Sequence, residues 1–123
     1  MYDSIFLLLA LLFAKHWYVD FVNQTAEEVE WKGTFLDWRG LKHSLKHGLA
    51  TGLILYFATN IGALSIVLGI FDFLVHYHID WAKININNRK NYTPQTKEFW
   101  VWLGLDQLAH SLTYIFIVLI LKL

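Results

Sequence analysis

The sequence predicts an all-α, polytopic membrane protein, an antiparallel up-down bundle of four transmembrane helices forming one domain over residues 1–123. Three observations predict it. Hydrophobic residues make up 56% of the chain and charged residues only 16%, against roughly 45–50% and about 25% in an ordinary soluble domain. Four apolar segments approach bilayer length, although none is an uninterrupted apolar run of about 18 residues. Each of the four also carries ionisable residues four positions apart, which a helix stacks on one face. A soluble four-helix bundle with a large core is the rival reading.

The first segment covers about 2–24, with Ile5–Ala14 wholly apolar. Asp3 stands where a signal peptide would be basic and no small-residue cleavage site follows, so the segment reads as a retained helix. Residues 25–37, with Glu27, Glu28 and Glu30, read as a polar connection with a short surface helix. The second segment, about 38–59, turns tightly at Asn60 into the third, about 61–83, making the two antiparallel neighbours. Asn85–Thr96, rich in Asn and carrying Arg89, Lys90 and Pro94, reads as an exposed loop. The fourth segment covers about 98–123. At 1.5 Å per residue, helices of about 22–26 residues reach roughly 33–39 Å, enough for a hydrocarbon core of about 30 Å.

Lys32, Arg39, Lys42, Lys46, Lys83, Arg89, Lys90 and Lys97 lie in or beside the two longer loops, whereas the other side has Lys122 near its helix ends. The positive-inside bias puts both loops in the cytoplasm and both termini outside, in the inner (cytoplasmic) membrane. All six tryptophans fall toward the loop side, as an interfacial belt would. Ten basic residues balance ten acidic ones, so no net field draws nucleic acid; membrane lipid is the expected partner. The absence of cysteine excludes disulfides, thiolate-held metal and cysteine nucleophiles. Oligomeric state has no signature in the sequence.

The polar pairs are His16 and Asp20, His43 and His47, His76 and Asp80, and Asp106 and His110, with Asp72 extending the third stripe. Counted from the outer helix ends, His16, His47 and His110 lie about 12 or 13 residues deep, and Asp20, His43 and Asp106 about 16 or 17. His76 and Asp80 straddle the second level. Eight polar groups can therefore converge on one spot. An aspartate near a transmembrane helix centre costs about 2.5–3.5 kcal/mol on insertion scales, so something must compensate. Lysine and arginine are scarce at those levels, Lys15 and Lys46 being nearest. A divalent cation is the economical partner, with His16, Asp20, His43, His47, His76, Asp80, Asp106 and His110 as candidate ligands. Histidine with carboxylate and no thiolate suits zinc first, then manganese or iron. Eight ligands exceed what one tetrahedral ion takes, so there are either two ions, or one ion with orienting outer groups. A purely structural polar network is the competing explanation. His78 points about 200° away from His76 and is read as interfacial, not as a ligand.

The run His16-Trp-Tyr-Val-Asp20-Phe21-Val22-Asn23-Gln24 resembles the H-x-x-x-D-F-x-x-Q opening of domain-of-unknown-function family 3307, small membrane proteins of bacteria and phages. His47 in a basic, apolar helix continues the likeness. His76-Tyr-His-Ile-Asp80-Trp-Ala-Lys83 is similar to that family's H-x-x-x-D-x-x-K, and Asp106-Gln107-Leu-Ala-His110 to its D-Q-x-x-H. The resemblance covers nearly the whole chain. Helix-borne His/Asp patterns of this kind also occur in inner-membrane proteins described as metal-dependent hydrolases.

These readings together imply a membrane metal-dependent hydrolase acting at the cytoplasmic leaflet on a lipid or lipid-linked phosphoester. A metal lowers the pKa of a bound water. Asp20 or Asp106 is the candidate general base, and Arg39 and Lys83 are the candidate phosphate-binding residues. The alternatives are a non-enzymatic membrane protein that binds or transports metal, and a holin-like structural protein, which needs no convergent His/Asp site.

Overall fold

The computed structural model of the chain describes residues 2–122, all-helical with no strand among them. α1 spans Tyr2–Trp17 and continues into one π-helical turn, Tyr18–Val22. α2 spans Ala26–Trp31, α3 Trp38–Thr59, α4 Gly62–Lys90 and α5 Lys97–Ile120. The expected helix end at Leu123 lies outside the described residues. α1 packs on α3 and α5, α4 packs on the same two helices, and α2 lies against α3. Four long helices thus share one interior. The α3–α4 turn marks one end of it and α2 the other.

By length and composition, three stretches suffice to cross a membrane: Ser4–Val22, Gly62–Lys90 and Lys97–Ile120. α3, the fourth expected span, is helical over the expected residues but is not among them. Arg39, Lys42, His43, Lys46 and His47 load its first half.

The closest helix contact is between α3 and α4. A Cβ on Gly48 would stand 2.7 Å from the Gly69 carbonyl oxygen, and one on Gly69 would stand 2.7 Å from that of Gly48. Small residues let backbones approach this closely, and between apolar helices such packing replaces the hydrophobic drive. Neither carbonyl can move without its helix. Gly69→Ala is therefore expected to destabilise the fold by about 1–3 kcal/mol. It should lower the thermal midpoint in detergent, whereas Gly104→Ala, with no atom within 4 Å of the new Cβ, should not.

Asn60 ends α3 in the left-handed conformation, φ 57°, its N–H donating to the Tyr56 carbonyl. Asn tolerates this region because its short polar side chain bonds locally. Asn91 does the same for α4 at φ 54°. α4 therefore runs seven residues past the expected end at Lys83, through half of the stretch read as loop. The asparagines there hold helix contacts: Asn85 Nδ2 donates to the carbonyls of Trp81 and Gly33, both at 2.8 Å, tying the α2–α3 connection to α4.

The first helix also departs from expectation. Asn23 N–H donates to the Tyr18 carbonyl at 2.8 Å, a bond spanning five residues, so the turn is wider than an α turn. The extra residue lets both Val19 and Asp20 be buried. Gln24 Nε2 donates to the Asp20 carbonyl at 2.8 Å, and such π turns gather at functional sites.

Candidate metal centre

All eight candidate ligands are buried, none more than 8% exposed, and all lie in one interior. Each is brought there by its helix: His16 by α1, Asp20 by the π turn, His43 and His47 by α3, His76 and Asp80 by α4, Asp106 and His110 by α5.

The Asp20 carboxylate is the hub. Its Oδ1 lies 2.8 Å from His47 Nε2, 3.1 Å from His43 Nε2 and 3.6 Å from His76 Nε2, while its Oδ2 lies 3.2 Å from His16 Nε2. Three imidazole nitrogens thus converge on one oxygen with two lone pairs, and only His47 has the alignment of a hydrogen bond. Neither nitrogen of His43 or of His76 has a hydrogen-bond partner, although both rings are 0% exposed. The His76 ring is sandwiched between His47, centroids 3.6 Å apart, and His110, 4.0 Å apart. An orphaned buried polar group costs about 1–3 kcal/mol, so these rings want another partner.

Three groups have ligand atoms close enough together, within 4.8 Å, to hold an ion: Asp20, His43, His47 and His76; His16, His76 and His110; and Asp80, Asp106 and His110. The first is the best fit. A tetrahedral ion with bonds of about 2.0–2.1 Å spaces its ligand atoms about 3.3 Å apart, and the three distances at Asp20 Oδ1 bracket that value.

Lysines reach the interior in larger number than the sequence suggests. Lys15 Nζ lies 3.0 Å from Asp72 Oδ2, Lys32 Nζ 3.1 Å from Asp80 Oδ2, and Lys83 Nζ 3.0 Å from Asp106 Oδ2; Lys46 Nζ lies 2.8 Å from Glu28 Oε1. Cα positions understate this reach, because four-carbon arms carry the charge well away from the helix. Scarcity of cations is therefore no argument for metal. Five acids, Asp20, Glu28, Asp72, Asp80 and Asp106, face these four lysines, and the acid without a lysine is Asp20. With neutral histidines the interior is one positive charge short, at the hub of the best ligand group. A protonated histidine or a bound cation answers that deficit.

α2 is the expected short surface helix, with Ala26, Glu27, Val29 and Glu30 exposed, but it turns one residue inward. Its capping box between Thr25 and Glu28 fixes a short turn that drives Glu28, 2% exposed, under the bundle end. There Glu28 Oε2 sits 3.8 Å from His43 Nδ1. Burial pushes the Glu28 carboxyl up, but hydrogen bonds from Lys46 and the Thr25 N–H outweigh it and hold the group below its ordinary range. Burial likewise opposes the Lys32 ammonium, yet the Asp80 and Asp20 carboxylates raise it above the usual lysine value. Lys32 also donates to Gln24 Oε1 at 2.9 Å.

On the far side, Lys15 donates to Asp72 and to the Tyr114 hydroxyl, both at 3.0 Å, and Thr51 Oγ1 donates to Asp72 Oδ2 at 2.6 Å. Lys15 Nζ also lies 3.3 Å from His47 Nδ1, and the Tyr114 hydroxyl 3.0 Å from His16 Nδ1. Beyond this layer the interior is apolar, filled by Leu8, Leu12, Leu55, Leu68, Ile117 and Val118.

Of the expected phosphate-binding residues, Lys83 joins the cluster through Asp106 and Arg39 does not. Arg39 makes a two-pronged bond to Asp37 at 2.8 Å per contact and stacks over the Trp31 ring at 3.3 Å. His78 is exposed, its Nδ1 2.6 Å from the Leu74 carbonyl. Lys32, Glu28, Thr51 and Tyr114 are interior groups that the sequence reading missed, although Thr51 and Tyr114 stand four residues beyond His47 and His110 and extend those stripes by one turn. Gln107 has a role too: its Oε1 meets His16 Nε2 at 3.0 Å and its Nε2 donates to Asp106 Oδ2 at 2.9 Å.

No curated protein and no solved structure matches the chain. The family model described as "Protein of unknown function (DUF3307)" matches residues 7–123. That span holds every motif residue whose side chain meets the hub or its partners, from His16 to His110, and the chain belongs to this family.

Proposed function

We propose that the four long helices form a transmembrane bundle around a divalent metal centre, and that the protein is a metal-dependent hydrolase at the cytoplasmic leaflet of the inner membrane. The convergence of three histidine nitrogens on Asp20 Oδ1, with His43 and His76 otherwise unpartnered, carries the reading. Asp20, His43, His47 and His76 are the ligands of one ion, zinc by donor chemistry, with manganese or iron as alternatives. His16, His110 and Asp80 hold a second ion or orient the first set. Held by three of the four residues of the Asp20 group, with a position left for water, the metal would make that water acidic enough to attack at neutral pH. Asp106 is the general base in this reading: its buried Oδ1 accepts no hydrogen bond, while Lys83 and Gln107 fix its other oxygen. Lys83 is the phosphate-binding cation. Asp20, expected as a base, is assigned to the metal instead.

The loop-end cations support a cytoplasmic position for that end and external termini. The apolar plug of Leu12, Leu55 and Ile117, each 0% exposed, favours chemistry served from one side over passage of an ion through the bundle. A non-enzymatic metal-binding role is the second reading, favoured by Glu28 and Lys32 covering the loop end. Incubation with lipid phosphoesters decides between them. Phosphate release that chelator abolishes and metal restores is expected. Tight metal binding with no release from any phospholipid would leave the non-enzymatic role. In the same assay, His78→Ala should keep both metal and activity, and Lys83→Ala should keep metal but raise KM.

A further inference from the structure

Glu28 and Lys32 cover the interior at one end and leucines close the other, yet the flank between α4 and α5 is open. A groove of about 240 Å³ runs there and reaches Lys83 and Asp106. Ile79, Ile86, Trp102 and Leu105 form its walls, and Ala82 and Ala109 leave room between them. The larger cavity between α3 and α4, lined by Gly48, Gly52 and Gly69 among others, touches no residue of the cluster. The α4–α5 groove is therefore an apolar channel ending on an ammonium group beside the proposed base.

We infer that this groove seats one acyl chain of an anionic, phosphate-bearing membrane lipid, with its headgroup at Lys83. α4 and α5 are both long and apolar enough to cross a membrane. In the transmembrane placement proposed above, the groove's mouth opens on hydrocarbon and its occupant comes from the bilayer. Chain and head are matched by the two ends of the groove: apolar walls, then Lys83 Nζ, whose present partner is Asp106 Oδ2 at 3.0 Å. The anion preference rests on the metal-centre reading. Five acids against four lysines repel an anion, and one divalent ion reverses the sign.

The test uses the full chain in nanodiscs doped with phosphatidic acid carrying a diazirine in its acyl chain, or with matched phosphatidylcholine. Mass spectrometry maps the crosslinks, and metal content is measured on the same samples. Saturable labelling of the α4 and α5 groove residues is expected, several-fold stronger with phosphatidic acid. Ala109→Phe and, on the opposite wall, Ala82→Phe should each cut it several-fold while metal content and thermal midpoint stay near wild type. Lys83→Gln should keep the labelling but abolish the preference for phosphatidic acid. Labelling spread evenly over exposed residues such as Leu49 and Leu53, equal labelling by the two lipids, or indifference to both phenylalanines would overturn the inference with the metal centre intact. A metal-free wild-type protein, read directly from the elemental assay, would overturn the reading beneath it.

Discussion

Replacing His76 by leucine is expected to strip the centre of metal while leaving the metal-free protein at least as stable as the wild type. His76 belongs to two of the three groups able to hold an ion. Losing an outer group alone typically costs about 10–100-fold in metal affinity, so losing this ligand should cost at least that. The metal-free protein responds differently because neither ring nitrogen has a hydrogen-bond partner. Substituting a polar group that is buried and unsatisfied with an apolar side chain removes a penalty of about 1–3 kcal/mol and breaks no hydrogen bond. Saturating metal should stabilise the wild type by about 4 kcal/mol at a thousand times Kd, and should barely move His76→Leu. Thermal unfolding with and without metal separates the two effects. A variant that loses stability equally in chelator and in metal would mean that His76 serves a structural network.

The largest loss of stability is expected from Lys15→Ala. Lys15 is 7% exposed and its ammonium meets Asp72, Tyr114 and His47. Its removal leaves Asp72, 1% exposed, with only the Thr51 hydroxyl at its Oδ2. Breaking a buried ion pair by deleting one partner costs about 3–5 kcal/mol. Removing both charges, as in Lys15→Met with Asp72→Leu, should recover most of that, because a well-packed apolar pair often replaces a buried ion pair without loss. Because Lys15 also meets His47, a member of the Asp20 group, the loss is read in chelator, where metal does not contribute. Unfolding midpoints of the single and double variants check it. A Lys15→Ala midpoint equal to wild type would show that Asp72 is not held as a charge.

Spacing in the sequence was informative where helices are regular. The i,i+4 pairs and their common depth brought His16, His47 and His110 to one level, and the asparagine at position 60 marked the turn. Three things escaped for physical reasons. The π turn at Tyr18–Val22 has no local signature, since Tyr-Val-Asp-Phe-Val suits an ordinary helix; burial of Asp20 selects it. The ion pairs of Lys15, Lys32 and Lys83 with buried aspartates cannot be read until the direction of each long arm is known. α2 is the polar surface segment expected, but charge alone does not say that Glu28 faces Lys46 and not water. Motif residues Gln24 and Gln107, without roles when read singly, turn out to fasten the π turn and His16.

Whether the Asp20 group holds a metal is decided by elemental analysis of the wild-type protein, extracted in detergent without chelator after growth in metal-replete medium. At least one divalent transition-metal ion per chain is expected, lost in His76→Leu and retained in His78→Ala. Wild-type protein holding no such ion, and taking up none from added zinc, manganese or iron, would contradict it.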